Sequence, residues 1–242
     1  MRIRILGTGD TMGLPRLWCN CPTCDWARRN HYRRTRFSIL IDDAYLIDAG
    51  PDIKYQLEQV GPKRINVILV THAHFDHIGG LPELERVVHP RVYATPETIS
   101  YIKRLYHYLS YSYMLVRPYK EFYVDSLKIT PFLVDHPAPT PAIGYIIFAN
   151  GKKIAVTSDT RRNLPQESME LLKDLDLLIT DAFTTEERKI PKHMNITEAR
   201  ELAKDLNAKK TVFLHASHLM PPPPILRNIA PEIPDDGFVI EI

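Results

Sequence analysis

Short apolar runs alternate with polar loops along the chain, and this pattern predicts strands and helices in mixed order. Strands are expected at 2–6, 37–41, 44–47, 67–70, 91–94, 127–134, 143–149, 152–157, 175–179 and 211–214. Helical spacing covers 52–60, 81–88, parts of 98–123, 166–173 and 197–206. The prolines at 221–224 are expected to form a surface turn, because proline interrupts helices and central strands. Together these segments predict an α/β fold.

Several of the predicted strands end in residues that bind metals. These residues are His72, His74, His136, Asp159, Asp181 and His215. A lone histidine at a strand end is more often structural than a ligand. Five strand ends of this kind are harder to ascribe to chance, because ligand sites in layered α/β folds cluster beyond strand ends.

The densest group is the motif Thr71–His77, which follows the apolar run 67–70. His72 and His74 share a face if the extended backbone continues, so they can bind one metal ion. Asp76 and His77 come after the turn and can face a second ion. Imidazole and carboxylate ligands suit Zn, Mn or Fe better than Ca or Mg. A solvated, His-rich loop without metal is the alternative.

A second candidate metal site lies near the N-terminus. Cys19, Cys21 and Cys24 have the spacing that brings three thiolates around one tetrahedral structural zinc ion. The fourth ligand is open at this point, with His31 nearby in sequence and His218 distant. Buried or redox-active cysteines without metal are the alternative.

Length and charge limit the function only broadly. A chain of 242 residues with net charge +2 can form one large or two small domains, and its charge does not indicate a nucleic-acid binder. The N-terminus has no apolar core of a signal peptide, and no run approaches 18 apolar residues. With three closely spaced cysteines, these features predict a cytoplasmic protein without a membrane span.

Two further segments have unusual composition. The range 28–36 holds five arginines, which could grip phosphates or form a solvated face beside the cysteines. The range 98–123 holds seven of the twelve tyrosines. We expect the tyrosines to serve packing or a homodimer interface rather than a substrate-stacking wall.

Together, the motif Thr71–His77, His136, Asp159 and His215 resemble the metallo-β-lactamase superfamily over nearly the whole chain. The resemblance implies a four-layer αββα sandwich forming a single domain, 1–242, with a zinc-knuckle insertion at about 15–36. It also implies a site for two divalent metal ions. The implied ligands are His72, His74 and His136 for one ion, Asp76, His77 and His215 for the other, and Asp159 as the bridge between them.

Three other features narrow the resemblance to PhnP-type cyclic phosphodiesterases. These are the turn Gly7-Thr8-Gly9, the cysteine spacing and the motif His215-Ala216-Ser217-His218. By this resemblance the fourth zinc ligand is His218, and His193 matches a histidine placed over the scissile phosphate. The cysteine knuckle also resembles that of the pyrroloquinoline-quinone biosynthesis protein B group, and the histidine cluster resembles that of RNase Z.

The resulting hypothesis is a dinuclear-metal phosphodiesterase that hydrolyses a small cyclic or nucleotide-like phosphodiester. A hydroxide shared by the two ions attacks phosphorus, Asp76 accepts the water's proton and His193 donates a proton to the leaving oxygen. Asp48 and Asp181 could orient ligand histidines, and Asp48 could equally cap the helix predicted at 52–60.

Three alternatives remain from the sequence. An RNase Z-type endoribonuclease would bind RNA, but we see no Gly-rich basic insertion that would serve as its tRNA-binding arm. A thioester or lactone hydrolase can use the same metal site. A non-catalytic carrier of cofactor biosynthesis would keep the metals without hydrolysis.

Overall fold

The chain forms two β-sheets with helices on their outer faces, as seen in a computed structural model that describes residues 1–61, 63–185, 188 and 190–242. The strands are β1 (Arg2–Gly7), β2 (Ser38–Ile41), β3 (Tyr45–Ile47), β4 (Val67–Leu69), β5 (Arg91–Ala94), β6 (Ser112–Leu115), β7 (Phe122–Val124), β8 (Leu127–Leu133), β9 (Ile143–Ala149), β10 (Lys152–Val156), β11 (Leu177–Asp181), β12 (Thr211–Leu214) and β13 (Val239–Glu241). The helices are α1 (Pro22–Arg29), α2 (Ile53–Val60), α3 (Phe75–Ile78), α4 (Leu81–Glu85), α5 (Pro96–Leu105), α6 (Gln166–Leu171), α7 (Ile196–Asp205) and α8 (Pro223–Ile229).

Among the described residues, the first sheet has seven strands in the order β13-β1-β2-β3-β4-β5-β6, and the second has six in the order β12-β11-β10-β9-β8-β7. The pairs β3–β4, β4–β5 and β5–β6 are parallel, as are β10–β11 and β11–β12. The other pairs are antiparallel. The parallel strands direct their carboxyl ends to one edge of each sheet, where ligand sites usually form.

The buried apolar residues form three layers of contact, which gives the four-layer αββα sandwich that the resemblance implied. Side chains such as Ile39 and Ile147 fill the space between the two sheets. Leu46 packs with Ile53 of α2 on the outer face of the first sheet. Phe213 packs with residues of α7 and α8 on the outer face of the second sheet. Each sheet is therefore buried on both faces, which explains its nearly continuous apolar strands.

One sequence expectation about an individual element was wrong. The prolines do not form only a turn, because α8 begins at Pro223 with proline in its first turn. Proline is tolerated there, since the first N–H groups of a helix have no intrahelical partner. In the segment 98–123, α5 confirms the helical spacing expected for part of it, and β6 and β7 are strands that the sequence analysis did not predict.

The tyrosines of 98–123 divide between packing and exposure. Tyr111 is buried and donates a hydrogen bond to the carbonyl of Leu81 at 2.6 Å. Tyr119 contacts the hydroxyl of Ser168 at 3.0 Å. Tyr108 and Tyr123 are exposed. The packing role is present in part, and the homodimer through this segment stays a prediction.

Two of the arginines of 28–36 form contacts within the protein. Arg34 is buried and donates hydrogen bonds to Thr8 Oγ1 and to the carbonyl of Pro234. Arg36 pairs with Asp52 at 3.1 Å. Both guanidinium groups are therefore committed to internal contacts.

In the described part of the chain, no helix has the length and apolar character needed to cross a membrane.

Candidate active site

The residues after β4, β8 and β10 form a first group of metal-competent side chains. It consists of His72, His74, His136 and Asp159, whose ligand atoms lie within 4.8 Å of one another. His72 Nε2 and His136 Nε2 lie 2.9 and 3.2 Å from His74 Nδ1. The carboxylate Oδ2 of Asp159 is 3.8 Å from His72 Nε2 and 3.7 Å from His136 Nε2. Four side chains from three strand ends thus converge on one point.

A second group adjoins the first and shares Asp159 with it. It consists of Asp76, His77, Asp159 and His215. His77 Nε2 lies 3.3 Å from Asp76 Oδ2 and 3.4 Å from Asp159 Oδ2. His215 Nε2 lies 3.4 Å from Asp76 Oδ2 and 3.4 Å from Asp159 Oδ1. Asp159 is therefore placed to bridge two sites. Asp76 and His77 lie on α3, a short helix that the sequence did not predict.

Both groups fit divalent metal ions. Within the described residues, the buried atoms His77 Nε2 and Asp159 Oδ1 have no hydrogen-bond partner, and leaving such atoms unpaired is costly. The nitrogens of His72, His74 and His136 face one another and present lone pairs to a common point. Imidazole and carboxylate groups arranged in this way suit Zn, Mn or Fe.

Polar groups that contact the Nδ1 atoms of the histidines determine which ring nitrogen faces each metal-competent group. Asp48 Oδ2 accepts hydrogen bonds from His77 Nδ1 and from Thr71 Oγ1, both at 2.7 Å. Thr71 Oγ1 lies 3.0 Å from His72 Nδ1, and the carbonyl of Lys192 lies 3.2 Å from His136 Nδ1. Because each Nδ1–H has an acceptor, Nε2 is the ring nitrogen of His72, His77 and His136 that faces inward.

Charge differs between the two groups. Burial lowers the pKa of His72 and His74 and lowers that of His136 to about 4, so the first group presents neutral imidazoles at neutral pH. Burial is also the largest single influence on the pKa of His77 and of His215 and would lower both, but Asp159 and the other nearby carboxylates together outweigh it. The pKa of His77 is raised well above its ordinary value and that of His215 to about 9.

The carboxylates of the second group stay ionised. Burial alone would raise the pKa of Asp76 and Asp159, but the neighbouring histidine charges hold both values below the ordinary range. In the metal-free protein, protons on His77 and His215 therefore balance these carboxylates. A divalent cation can take over that role.

His193 lies beside both groups. Its Nδ1 is 2.7 Å from Asp181 Oδ2, and its ring contacts those of Phe183 and His215, with centroids 4.6 and 4.8 Å away. The His136 ring centroid is 5.2 Å away. His193 is thus held by a carboxylate and two rings at the junction of the two groups.

The loop that carries His193 is fixed by the start of α7. Asn195 Oδ1 accepts from the backbone N–H of Glu198 at 2.9 Å, and the Glu198 carboxylate accepts from the N–H of Asn195 at 3.0 Å. This reciprocal cap defines where the helix begins. On the other side, the backbone N–H of Phe183 donates to the carbonyl of Met194 at 2.8 Å.

The cysteines form a separate group with His218. The Nδ1 atom of His218 lies 3.4 Å from Cys19 Sγ and 3.6 Å from Cys21 Sγ, and Cys24 completes the group. Of the two candidates for the fourth position, the structure brings His218 to the cysteines, and His31 is not in the group found among the described residues. Three sulfurs and one imidazole nitrogen can form a zinc site.

Asp10 is a site residue that the sequence reasoning missed. It is buried, with Oδ1 accepting from the backbone N–H of Met12 at 3.0 Å. Burial raises its pKa, and the charge of His215 opposes that rise. A parallel bridge between Gly9 and Ala216 brings the loop after β1 beside the segment that carries His215. The only sequence signal was a polar residue at another strand end.

The two sheets and the two adjoining His/Asp groups define a metal-dependent hydrolase of the αββα class. A profile of the beta-lactamase superfamily domain matches residues 44–216, more than half of the chain. The chain therefore belongs to the metallo-β-lactamase superfamily.

Known relatives carry different activities. A diphosphatase from the PhnP family has a similar crystal structure, with a TM-score of 0.86 and 29% identity over all of this chain and 97% of that one. An octanoyltransferase of Porphyromonas gingivalis is 31% identical over 91% of this chain, but the chain covers only 47% of that protein. A ribonuclease Z of Clostridium beijerinckii is 22% identical, over 98% of this chain and 94% of the relative.

Proposed function

We propose that this protein is a phosphodiesterase that uses two divalent metal ions, Zn, Mn or Fe, to hydrolyse small cyclic or nucleotide-like phosphodiesters. The observation that carries the proposal is the hydrogen bond between His193 and Asp181 at the junction of the two His/Asp groups. A positioned proton donor is needed where the leaving group is an alkoxide. A thiolate leaves without one, so the pair favours phosphodiesters over thioesters.

Different residues of the chain have different roles in the proposed hydrolysis. When bound, the two metal ions lower the pKa of the attacking water and stabilise negative charge on the phosphoryl oxygens. Asp159 keeps the two sites adjacent, and Asp76 accepts the proton that the water loses. Because Asp181 occupies Nδ1, His193 presents Nε2 to the substrate and donates its proton to the leaving oxygen.

The relatives support a phosphoryl substrate. The diphosphatase of the PhnP family has a structure that corresponds to this chain over its whole length. We therefore extend phosphoryl chemistry to this protein. The narrower proposal, that the phosphodiester is cyclic or nucleotide-like, rests on the resemblance of the cysteine knuckle and the His215–His218 motif to those of PhnP-type enzymes.

We also propose that Cys19, Cys21, Cys24 and His218 hold one structural zinc ion. Four protein ligands close the coordination sphere and leave no position for substrate. The thiol of Cys24 lies in the interior, and the backbone N–H of Arg16 donates to its sulfur at 3.3 Å. This ion would fix the loop between β12 and α8, which also carries His215.

Processing of RNA is the second candidate function. It is favoured by the ribonuclease Z of C. beijerinckii, which aligns with nearly the whole of this chain. Against it stands the sequence, which contains no Gly-rich basic insertion to hold a tRNA. Salt-sensitive RNA binding would be its earliest experimental sign.

A substrate panel separates these functions. The purified protein, loaded with Mn or Zn, is assayed with bis(p-nitrophenyl) phosphate, cyclic ribose phosphates, cyclic nucleotides, a precursor tRNA and an acyl thioester. We expect metal-dependent turnover of one or more small phosphodiesters. Activity confined to the precursor tRNA or to the thioester would overturn it. An inactive protein with full metal sites would indicate a binding protein.

A further inference from the structure

A cavity of about 330 Å³ lies between α2, the loop after α1 and the C-terminal segment at 236–237. Its walls include the apolar side chains of Leu6 and Val60 and the ring of Tyr32. None of the residues that line it belongs to the metal-competent groups found in the described part of the chain. Its volume is at the lower end of the range for pockets that bind small molecules.

Gln56 lines this cavity with a buried hydrogen-bond acceptor that has no donor. The residue is 3% exposed, and among the described residues its Oε1 has no hydrogen-bond partner. Its Nε2 donates to Thr35 Oγ1 at 2.8 Å and to the carbonyl of Arg36 at 2.7 Å. Because a carbonyl only accepts, the amide cannot turn its oxygen to that side without losing this bond. A buried acceptor without a donor is costly, and a ligand N–H in the cavity would pair with it.

The carboxylate of Asp236, another buried part of the wall, is already paired. Its Oδ1 accepts from the backbone N–H of Thr8 at 2.9 Å and from the Thr8 hydroxyl at 2.6 Å. Its Oδ2 accepts from the backbone N–H of Thr35 at 2.6 Å and from the Thr35 hydroxyl at 2.7 Å. Four hydrogen bonds therefore satisfy Asp236. A ligand at the buried end of the cavity needs to supply one donor, for Gln56.

Arg33 places a cation on the exposed side of the same cavity. Its guanidinium lies over the Tyr55 ring, 5.7 Å from the centroid, and makes no ion pair or hydrogen bond with any residue that the structure describes. Arg36, by contrast, pairs with Asp52 at 3.1 Å. The planar donors of a guanidinium match the geometry of a phosphate group. The cavity thus combines a buried acceptor, apolar walls and an exposed anion-binding group.

We propose that this cavity binds a nucleoside monophosphate, with a base N–H on Gln56 Oε1 and the phosphate on Arg33. Nucleobases carry N–H donors on their pairing edges, and proteins hold such flat rings between apolar side chains. The phosphate supplies the negative charge that Arg33 recognises. A nucleoside or a sugar phosphate would satisfy only one of the two residues. The site is separate from the proposed hydrolysis and does not depend on it.

Isothermal titration of the metal-loaded protein with the four nucleoside 5′-monophosphates tests the proposal. One or more of them should bind more tightly than the corresponding nucleoside and than ribose 5-phosphate. Arg33→Ala should weaken binding of that monophosphate about tenfold, through loss of a charge-assisted hydrogen bond, and should leave nucleoside binding unchanged. Arg33→Lys should restore part of the affinity. Val60→Trp, which fills the cavity, should remove the binding of both.

Arg29→Ala is the matched control. Arg29 is exposed at the end of α1 and does not line the cavity, so its removal changes the net charge without changing the affinity. Wild-type protein that binds none of the four monophosphates would overturn the proposal, because water alone would then fill the cavity. Unchanged monophosphate affinity in Arg33→Ala would also overturn it, because the ligand would then bind elsewhere, as would equal losses for nucleoside and monophosphate. Hydrolysis of phosphodiesters would persist in each case, which distinguishes these outcomes from failure of the proposed function.

Discussion

Asp181 Oδ2 lies 2.7 Å from His193 Nδ1, and Asp181 itself is buried at the end of β11. The backbone N–H of Thr160 also donates to Asp181 Oδ2, at 3.2 Å. Thr160 directly follows Asp159, which the two His/Asp groups share, so the carboxylate that holds His193 is tied to the loop that joins these groups. The orientation of the His193 ring and the position of Asp159 are therefore linked.

Asp181→Asn tests this link. The amide can still accept from Nδ1 but carries no charge to stabilise a protonated His193, so kcat on a phosphodiester should fall ~10–100-fold. Metal content should stay at the wild-type level, as measured by elemental analysis. Asp174→Asn, on an exposed turn, is the control and should keep its activity. Full activity in Asp181→Asn would show that His193 does not depend on this carboxylate.

Asp48 should control the second metal site. Asp48→Asn replaces the acceptor at His77 Nδ1, so the ring loses its fixed orientation and metal affinity should fall ~10–100-fold. Isothermal titration of the metal-free protein measures this change. Asp43→Asn, where the carboxylate pairs with Lys63 away from the site, is the control. Equal affinities in the two variants would contradict the role of Asp48.

The cysteine group should hold metal independently of the two His/Asp groups. A chelator is expected to remove the two ions of the open site and to leave one ion at Cys19, Cys21, Cys24 and His218. His218→Ala should lose that third ion and unfold more easily, by ~2–3 kcal/mol for a site filled at 100 times its Kd. Elemental analysis and thermal unfolding measure the two effects. A variant with three ions and unchanged stability would refute the zinc assignment.

Metal binding should release protons near neutral pH. The pKa of His215 is raised to about 9 and that of His77 well above its usual value, so both are protonated in the metal-free protein at pH 7.5. A cation in the second group must displace these protons, and its affinity should rise with pH through this range. Titrations in buffers of different ionisation enthalpy count the released protons. A count near zero at pH 7.5 would contradict the assignment.

Local patterns in the sequence predicted an α/β fold and metal-binding residues at strand ends, whereas the four-layer sandwich and the two ligand sets followed from the resemblance to the metallo-β-lactamase superfamily. Apolar runs showed where strands end, and His72, His136 and His215 follow those ends directly. The parallel pairing of β10, β11 and β12 brings the ends that carry Asp159, Asp181 and His215 to one edge of the second sheet. The order of residues along the chain was enough to indicate the site.

Other features depend on contacts between distant segments. Asp10 reaches the site only through the pairing of Gly9 with Ala216. Arg34 is buried because Thr8 and Pro234 supply acceptors from both ends of the chain, which its place among five arginines did not reveal. Phe183 stacks on His193 because the backbone of Phe183 pairs with Met194. No local pattern encodes these contacts.

The most direct test is hydrolysis of a cyclic nucleotide, whose leaving oxygen is an alkoxide that needs a proton, by wild-type protein, His193→Ala and His107→Ala at equal metal content. His107 is exposed after α5 and serves as the control. The account predicts metal-dependent turnover by the wild type, a loss of ~10²–10⁴ in kcat for His193→Ala, and wild-type turnover for His107→Ala. Unchanged kcat in His193→Ala with both metal ions bound would contradict it.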